Sequence, residues 1–135
     1  MLYLLDTNVI SGLMRKRPEV RARLSSLGPS HDVVTCPIVR GEILFGIQKL
    51  SDGRRRQELA ERAMSVFAEV PCEPVPETAG DSYGQIKAAR QRQGLTLDEN
   101  DLWIAATAKA LGAVLVSTDR DFAQTDGLTV EDWSR

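Results

Sequence analysis

The chain reads as an α/β protein on a parallel sheet of four to five strands, with helices over both faces. Three observations carry this reading. Short apolar runs recur at residues 1–5, 32–35 and 113–117, and a strand apolar on both sides belongs to a sheet buried on both faces. Longer segments of helical pattern separate those runs, as the crossovers of a parallel sheet require. The 135 residues, 42% of them hydrophobic, suffice for one domain spanning 1–135 with its own core. Aromatics are only 5%, so that core is expected to be mostly Leu, Val, Ile and Ala.

Along the chain, residues 1–5 form a buried strand and 9–14 a helical turn. Pro18, whose φ suits a first turn, opens a helix to about Leu27, and Gly28, Pro29 and Ser30 break it. Residues 32–35 give a short strand around VVT. Pro37 opens the helix IVRGEILFGIQKL, ending near Leu50, in which Gly41 and Gly46 are expected to allow close packing on a neighbour. A turn at Ser51, Asp52 and Gly53 leads into a charged helix over 54–66. Residues 69–75 (EVPCEPV) read as an interrupted strand, which its prolines confine to an edge. A helix over 77–93 ends at Gly94, and an alanine-rich helix over 99–111 ends at Gly112. Residues 113–117 (AVLVS) are a buried strand, 121–124 a turn of helix, and 128–130 a last strand. In such sheets, sites form beyond the carboxyl ends of the strands.

Composition excludes several classes. No apolar run reaches the roughly 18 residues of a membrane span. The start MLYLLD has no basic leader or cleavage site, so a cytoplasmic protein is expected. Cys36 and Cys72 fit neither a disulfide framework nor a metal spacing, and read as buried free thiols. The single histidine, His31, leaves no His-rich zinc site, and no nucleophile elbow accompanies it. There is no phosphate-cradling glycine loop and no dinucleotide fingerprint. A net charge of −2 argues mildly against nucleic acid, yet basic residues cluster locally, first at Arg15, Lys16, Arg17, Arg21 and Arg23.

Four acids stand out. Asp6 ends the first strand in LLDTNV, where a helix cap or a turn is the ordinary explanation. Glu42 lies within IVRGEILFGI, and its helical neighbours Ile38, Val39, Phe45 and Gly46 put it on the apolar face. A carboxylate there is costly unless paired or bound to a metal. Asp101 sits in the first turn after Asp98, facing Ile104, Ala105 and Ala108, although acids in a first turn also favour the helix dipole. Asp119 follows the strand AVLVS and should leave the same sheet edge as Asp6, with Asp121 two residues on. Carboxylates drawn together raise one another's pKa, and a hard divalent cation relieves that conflict. Oxygen ligands suit Mg²⁺ or Mn²⁺, which points to metal-assisted phosphoryl chemistry.

LLDTNV, PIVRGEILFGI, NDLWIAATA and LVSTDRDF, in this order, resemble the motifs of PIN-domain ribonucleases, and more closely the VapC toxins of bacterial type II toxin–antitoxin systems. The resemblance runs from about Leu2 to Trp133. It implies a PIN-like α/β/α sandwich, and metal-binding, catalytic roles for Asp6, Glu42, Asp101 and Asp119, with Asp121 the alternative fourth acid. Thr7 and Asn8 match the motif as groups orienting Asp6 or water; Asp98 and Asn100 flank the third acid. The resemblance further implies endonucleolytic RNA cleavage with Mg²⁺ or Mn²⁺, a homodimer, and a cognate VapB-type antitoxin that inserts a C-terminal segment along a groove. Arg15, Lys16 and Arg17 are the candidate RNA-phosphate contacts.

Other readings of the same residues are a scaffold, a phosphatase and a phosphoacceptor. A catalytically silent PIN-like scaffold would bind RNA or protein. A haloacid-dehalogenase-type phosphatase also has an acid after strand one, but needs a second acid where this chain has Asn8. A receiver-type phosphoacceptor would need adjacent acids after strand one and an acceptor acid after a middle strand.

Overall fold

The computed structural model describes residues 1–134. Its elements run β1 (Leu2–Leu5), α1 (Thr7–Met14), α2 (Pro18–Ser26), β2 (Asp32–Val34), α3 (Pro37–Gln48), α4 (Arg54–Glu69), α5 (Thr78–Arg92), α6 (Glu99–Leu111), β3 (Val114–Val116), a 3-10 turn (Arg120–Phe122) and β4 (Val130–Glu131). The strands form a four-stranded parallel sheet in the order β2-β1-β3-β4.

Consecutive residues of β1 (Tyr3, Leu4, Leu5) and of β3 (Val114, Leu115, Val116) are all buried. Successive strand side chains point to opposite faces, so both faces of the sheet are covered. The core is aliphatic, as the composition requires, with Phe122 and Trp133 its largest fully buried side chains. Pro18 and Pro37 open α2 and α3 in the first turn, where a missing N–H costs nothing. Gly112, at φ 66°, closes α6 in the left-handed conformation.

Four sequence expectations change, the burial of Cys72 among them. Residues 69–75 do not form a strand: α4 continues to Glu69, and only Thr35 and Cys72 make an isolated bridge. Pro71, Pro74 and Pro76 have no N–H to extend it. Gly41 and Gly46 are not close-packing sites, since a Cβ at either would meet nothing within 4 Å. The last strand lies at Val130–Glu131, shifted toward the C-terminus. Both cysteines are free; Cys36 is buried and Cys72 only half-buried.

The strand order decides where a site forms. From β1 the chain moves outward to β2, and from β3 it moves the other way to β4. The connections therefore diverge between adjacent β1 and β3, which opens a crevice beyond their carboxyl ends. Asp6 follows β1 there, and Ser117 through Asp119 follow β3.

Candidate active site

Asp6 is both helix cap and cleft acid. Its backbone is extended, and its Oδ1 accepts a hydrogen bond from the Thr7 amide at 2.7 Å. Its Oδ2 accepts from the Ser117 hydroxyl at 2.7 Å, across the β1–β3 junction. Asp6 is only 4% exposed. Burial pushes its pKa up, the Ser117 and Thr7 hydrogen bonds pull it back, and the charges of Glu42 and Asp119 raise it again.

Glu42 is half-buried on α3 and is held at both oxygens. The Thr7 hydroxyl donates to Oε1 at 2.6 Å, and the Asn100 amide donates to Oε2 at 3.4 Å. Its setting differs from the expected apolar face. The buried stripe of α3 is Val39, Ile43 and Ile47, while Phe45 is 68% exposed. Glu42 therefore stands at the rim of the stripe, turned toward the cleft.

Asp101, in the first turn of α6, is half-buried. Desolvation, then the charges of Asp6, Asp119, Asp98 and Glu42, raise its pKa to about 7. Asp119 caps the 3-10 turn, with its Oδ1 accepting from the Asp121 amide at 2.9 Å. The Asp119 amide itself donates to Ser117 Oγ at 3.0 Å.

These four carboxylates line one cleft of about 470 Å³, together with Thr7 and Asn8. Asn8 Oδ1 accepts from the Thr118 amide at 3.3 Å, joining the start of α1 to the segment after β3. Arg15 and Arg17 also line this cleft, whereas Lys16 lines a separate groove beside α4. Asp121 is exposed and outside the cleft wall, so Asp119 is the acid the fold turns inward. Asp98 stands at the N-cap position of α6 without a capping side-chain bond, outside the cleft wall, and acts on Asp101 only through its charge.

Ser117 is the residue that motif reasoning passed over. It is 2% exposed and bonds both Asp6 and the segment carrying Asp119. Its signal was faint: a small hydroxyl residue directly after an apolar strand.

The donor set consists of carboxylate, hydroxyl and amide oxygens, which suits a hard divalent cation. Among the described residues, no three His, Cys, Asp or Glu side chains close round one point as a preassembled cage. Mg²⁺ needs no such cage: it binds through one or two carboxylates and keeps several waters. The cleft fits that mode, since burial and then the charges of the neighbouring acids hold Asp101 largely protonated until near neutrality, a cost that a bound cation would offset.

The PIN domain family model matches residues 3–128. The chain is 34% identical to Ribonuclease VapC1 of Haemophilus influenzae, with all of both chains aligned. It is 27% identical to the tRNA(fMet)-specific endonuclease VapC of Shigella flexneri over 98% of each. Among solved structures, VapBC-1 from nontypeable Haemophilus influenzae superposes with a TM-score of 0.89 at 29% identity, covering 100% of both chains. By fold and sequence alike, the chain belongs to the PIN-domain family, among its VapC ribonucleases.

Proposed function

We propose that this protein is a metal-dependent endoribonuclease and the toxin of a type II toxin–antitoxin pair. The observation that carries the reading is the convergence of Asp6, Glu42, Asp101 and Asp119 on one cleft at the β1–β3 junction, with Asp101 raised to about 7 by burial and by the other three acids together with Asp98. Likeness to named VapC ribonucleases supports the choice of RNA over other phosphoesters. The intact set of acids disfavours the silent scaffold.

Asp6 and Asp101 are the principal ligands in this reading, with Glu42 and Asp119 completing the site directly or through water. Bound Mg²⁺ or Mn²⁺ would polarise the attacking water and offset charge developing on the phosphoryl oxygens. The chain's own groups do the rest. Ser117 and the Thr7 amide fix both oxygens of Asp6. The Thr7 hydroxyl and Asn100 hold Glu42 open to the cleft. Asp101, with a pKa near 7 in the metal-free cleft, would give up its proton when a cation binds, so loading of the site depends on pH in the physiological range.

The partner in this reading is a VapB-type antitoxin, in keeping with the likeness to the VapBC-1 structure, and the toxin itself is read as a homodimer. The exposed Phe45 on α3 supplies apolar surface for such assembly. No described helix is long and apolar enough to cross a membrane, and the proposed location is the cytoplasm. Transfer RNA is the first substrate to try, given the name of the Shigella flexneri relative.

The test is cleavage of an end-labelled RNA pool by antitoxin-free protein with Mg²⁺, Mn²⁺ or EDTA, beside Asp6→Asn. Metal-dependent cleavage lost in the variant is the expected result. A folded protein that cleaves no RNA, tRNA included, with either metal would favour the scaffold.

A further inference from the structure

Arg15 and Arg17 line the same cleft as the four carboxylates, yet neither is ion-paired among the described residues. Their neighbours on α2 are committed elsewhere: Arg21 pairs with Glu69, and Arg23 pairs with Glu131 at 3.1 Å. Arg17 lies across Gly12, its Cδ 3.7 Å from where a Cβ would stand. Gly12 itself lines the cleft.

The local backbone explains this arrangement. Lys16 has φ 57°, the one non-glycine residue in the left-handed region among those described. It ends α1: its amide donates to Leu13 O at 3.0 Å, and the Arg17 amide donates to Gly12 O at 2.9 Å. That reversal sends the two arginines to the acid cleft and the lysine to the groove containing Arg21, Glu58 and Arg62. Three consecutive cations, alike in sequence, thus serve two different surfaces.

A cleft of four acids repels a polyanion, so an RNA strand needs cations at its edge to enter. Exposed guanidinium groups without carboxylate partners meet that need, because their planar fork matches phosphate oxygens. We propose that Arg15 and Arg17 are the substrate-anchoring pair, gripping backbone phosphates of a single RNA strand beside the acid cleft, and that Lys16 takes no part. This inference rests on the ribonuclease reading of the cleft.

The experiment measures binding of a fluorescent single-stranded RNA by anisotropy across a salt series with Mg²⁺ present, in the Asp101→Asn background so that the strand survives. Arg15→Gln and Arg17→Gln are each expected to weaken binding and to reduce the log–log salt slope by about 0.7, the value for one lost single-strand phosphate contact. Lys16→Gln is expected to leave both unchanged. In the protein with Asp101 intact, each arginine variant should raise KM for RNA cleavage with kcat nearly constant. The proposal is overturned if the arginine variants keep the wild-type slope, if Lys16→Gln matches them, or if the protein binds no RNA. Arginine-dependent binding by a protein that cleaves nothing with Mg²⁺ or Mn²⁺ would support the anchoring pair while removing the nuclease reading, so the two failures are distinct.

Discussion

The Ser117 hydroxyl donates to Asp6 Oδ2 at 2.7 Å and fastens the acid after β1 to the end of β3, 111 residues along the chain. The same Ser117 oxygen accepts the Asp119 amide. One small side chain therefore sets the spacing of two carboxylates. Ser117→Ala should raise the Asp6 pKa further, because that bond lowers it. We expect a loss of about 1.5–3 kcal/mol of stability in denaturant unfolding, the range for a hydrogen bond to a charged group. Cation affinity should fall about 10–100-fold, as for other groups that orient a metal's ligands. An alanine variant with unchanged affinity would remove Ser117 from this role.

Asp101 makes metal-free stability depend on pH. Its pKa stands at about 7 in the fold against an ordinary 3.8, so the folded chain holds the extra proton between those values. Stability must then fall as pH rises from about 4 through about 7, and level off above. Asp101→Asn removes that loss. The variant should be more stable than the parent at pH 8 by about 1–2 kcal/mol, a figure reduced for solvent screening of a half-exposed group, with little gain at pH 4. Urea unfolding in EDTA at both pH values checks the sign.

Thr7 tests the support of Glu42. Thr7→Val deletes the hydroxyl that donates to Glu42 Oε1 at 2.6 Å while keeping the side-chain shape. Cleavage should drop, and stability should fall by about 1 kcal/mol. Thr7→Ser should restore both. Failure of serine to rescue would mean that the methyl group, not the hydroxyl, matters.

Lys16 carries a conformational cost. Replacing it by glycine relieves the left-handed strain at φ 57°. Lys16→Gly should stabilise the protein by about 0.5–1 kcal/mol, the roughly 1–2 kcal/mol of left-handed strain less the entropic cost of glycine, seen as a rise of a few degrees in Tm. A fall in Tm would show that the lysine side chain contributes contacts of its own.

Much of the fold was legible because its signals are local. Apolar runs marked β1, β2 and β3, prolines marked the starts of α2 and α3, and Gly112 marked the end of α6. The segment 69–75 misled because valine and cysteine beside glutamate suggest a strand, while the N–H groups a ladder needs are missing. Glu42 was singled out for the wrong neighbours: helical spacing gives a face, but not how far the core reaches round it. Ser117 left only a faint local signal, for another reason. Its meaning comes from the pairing of Leu5 with Val116, a register between distant segments that no local pattern encodes. The split of Arg15, Lys16 and Arg17 between two surfaces depends likewise on a single backbone reversal.

The proposed function requires the four carboxylates at the β1–β3 junction to act as one cation site. Mn²⁺ binding followed by electron paramagnetic resonance, in wild type and in Asp101→Asn at pH 6 and pH 8, tests it most directly. Saturable binding is expected that tightens from pH 6 to pH 8 as Asp101 gives up its proton, and that weakens and loses this pH dependence in the variant. Binding that is absent, or equal in the two proteins, would contradict it.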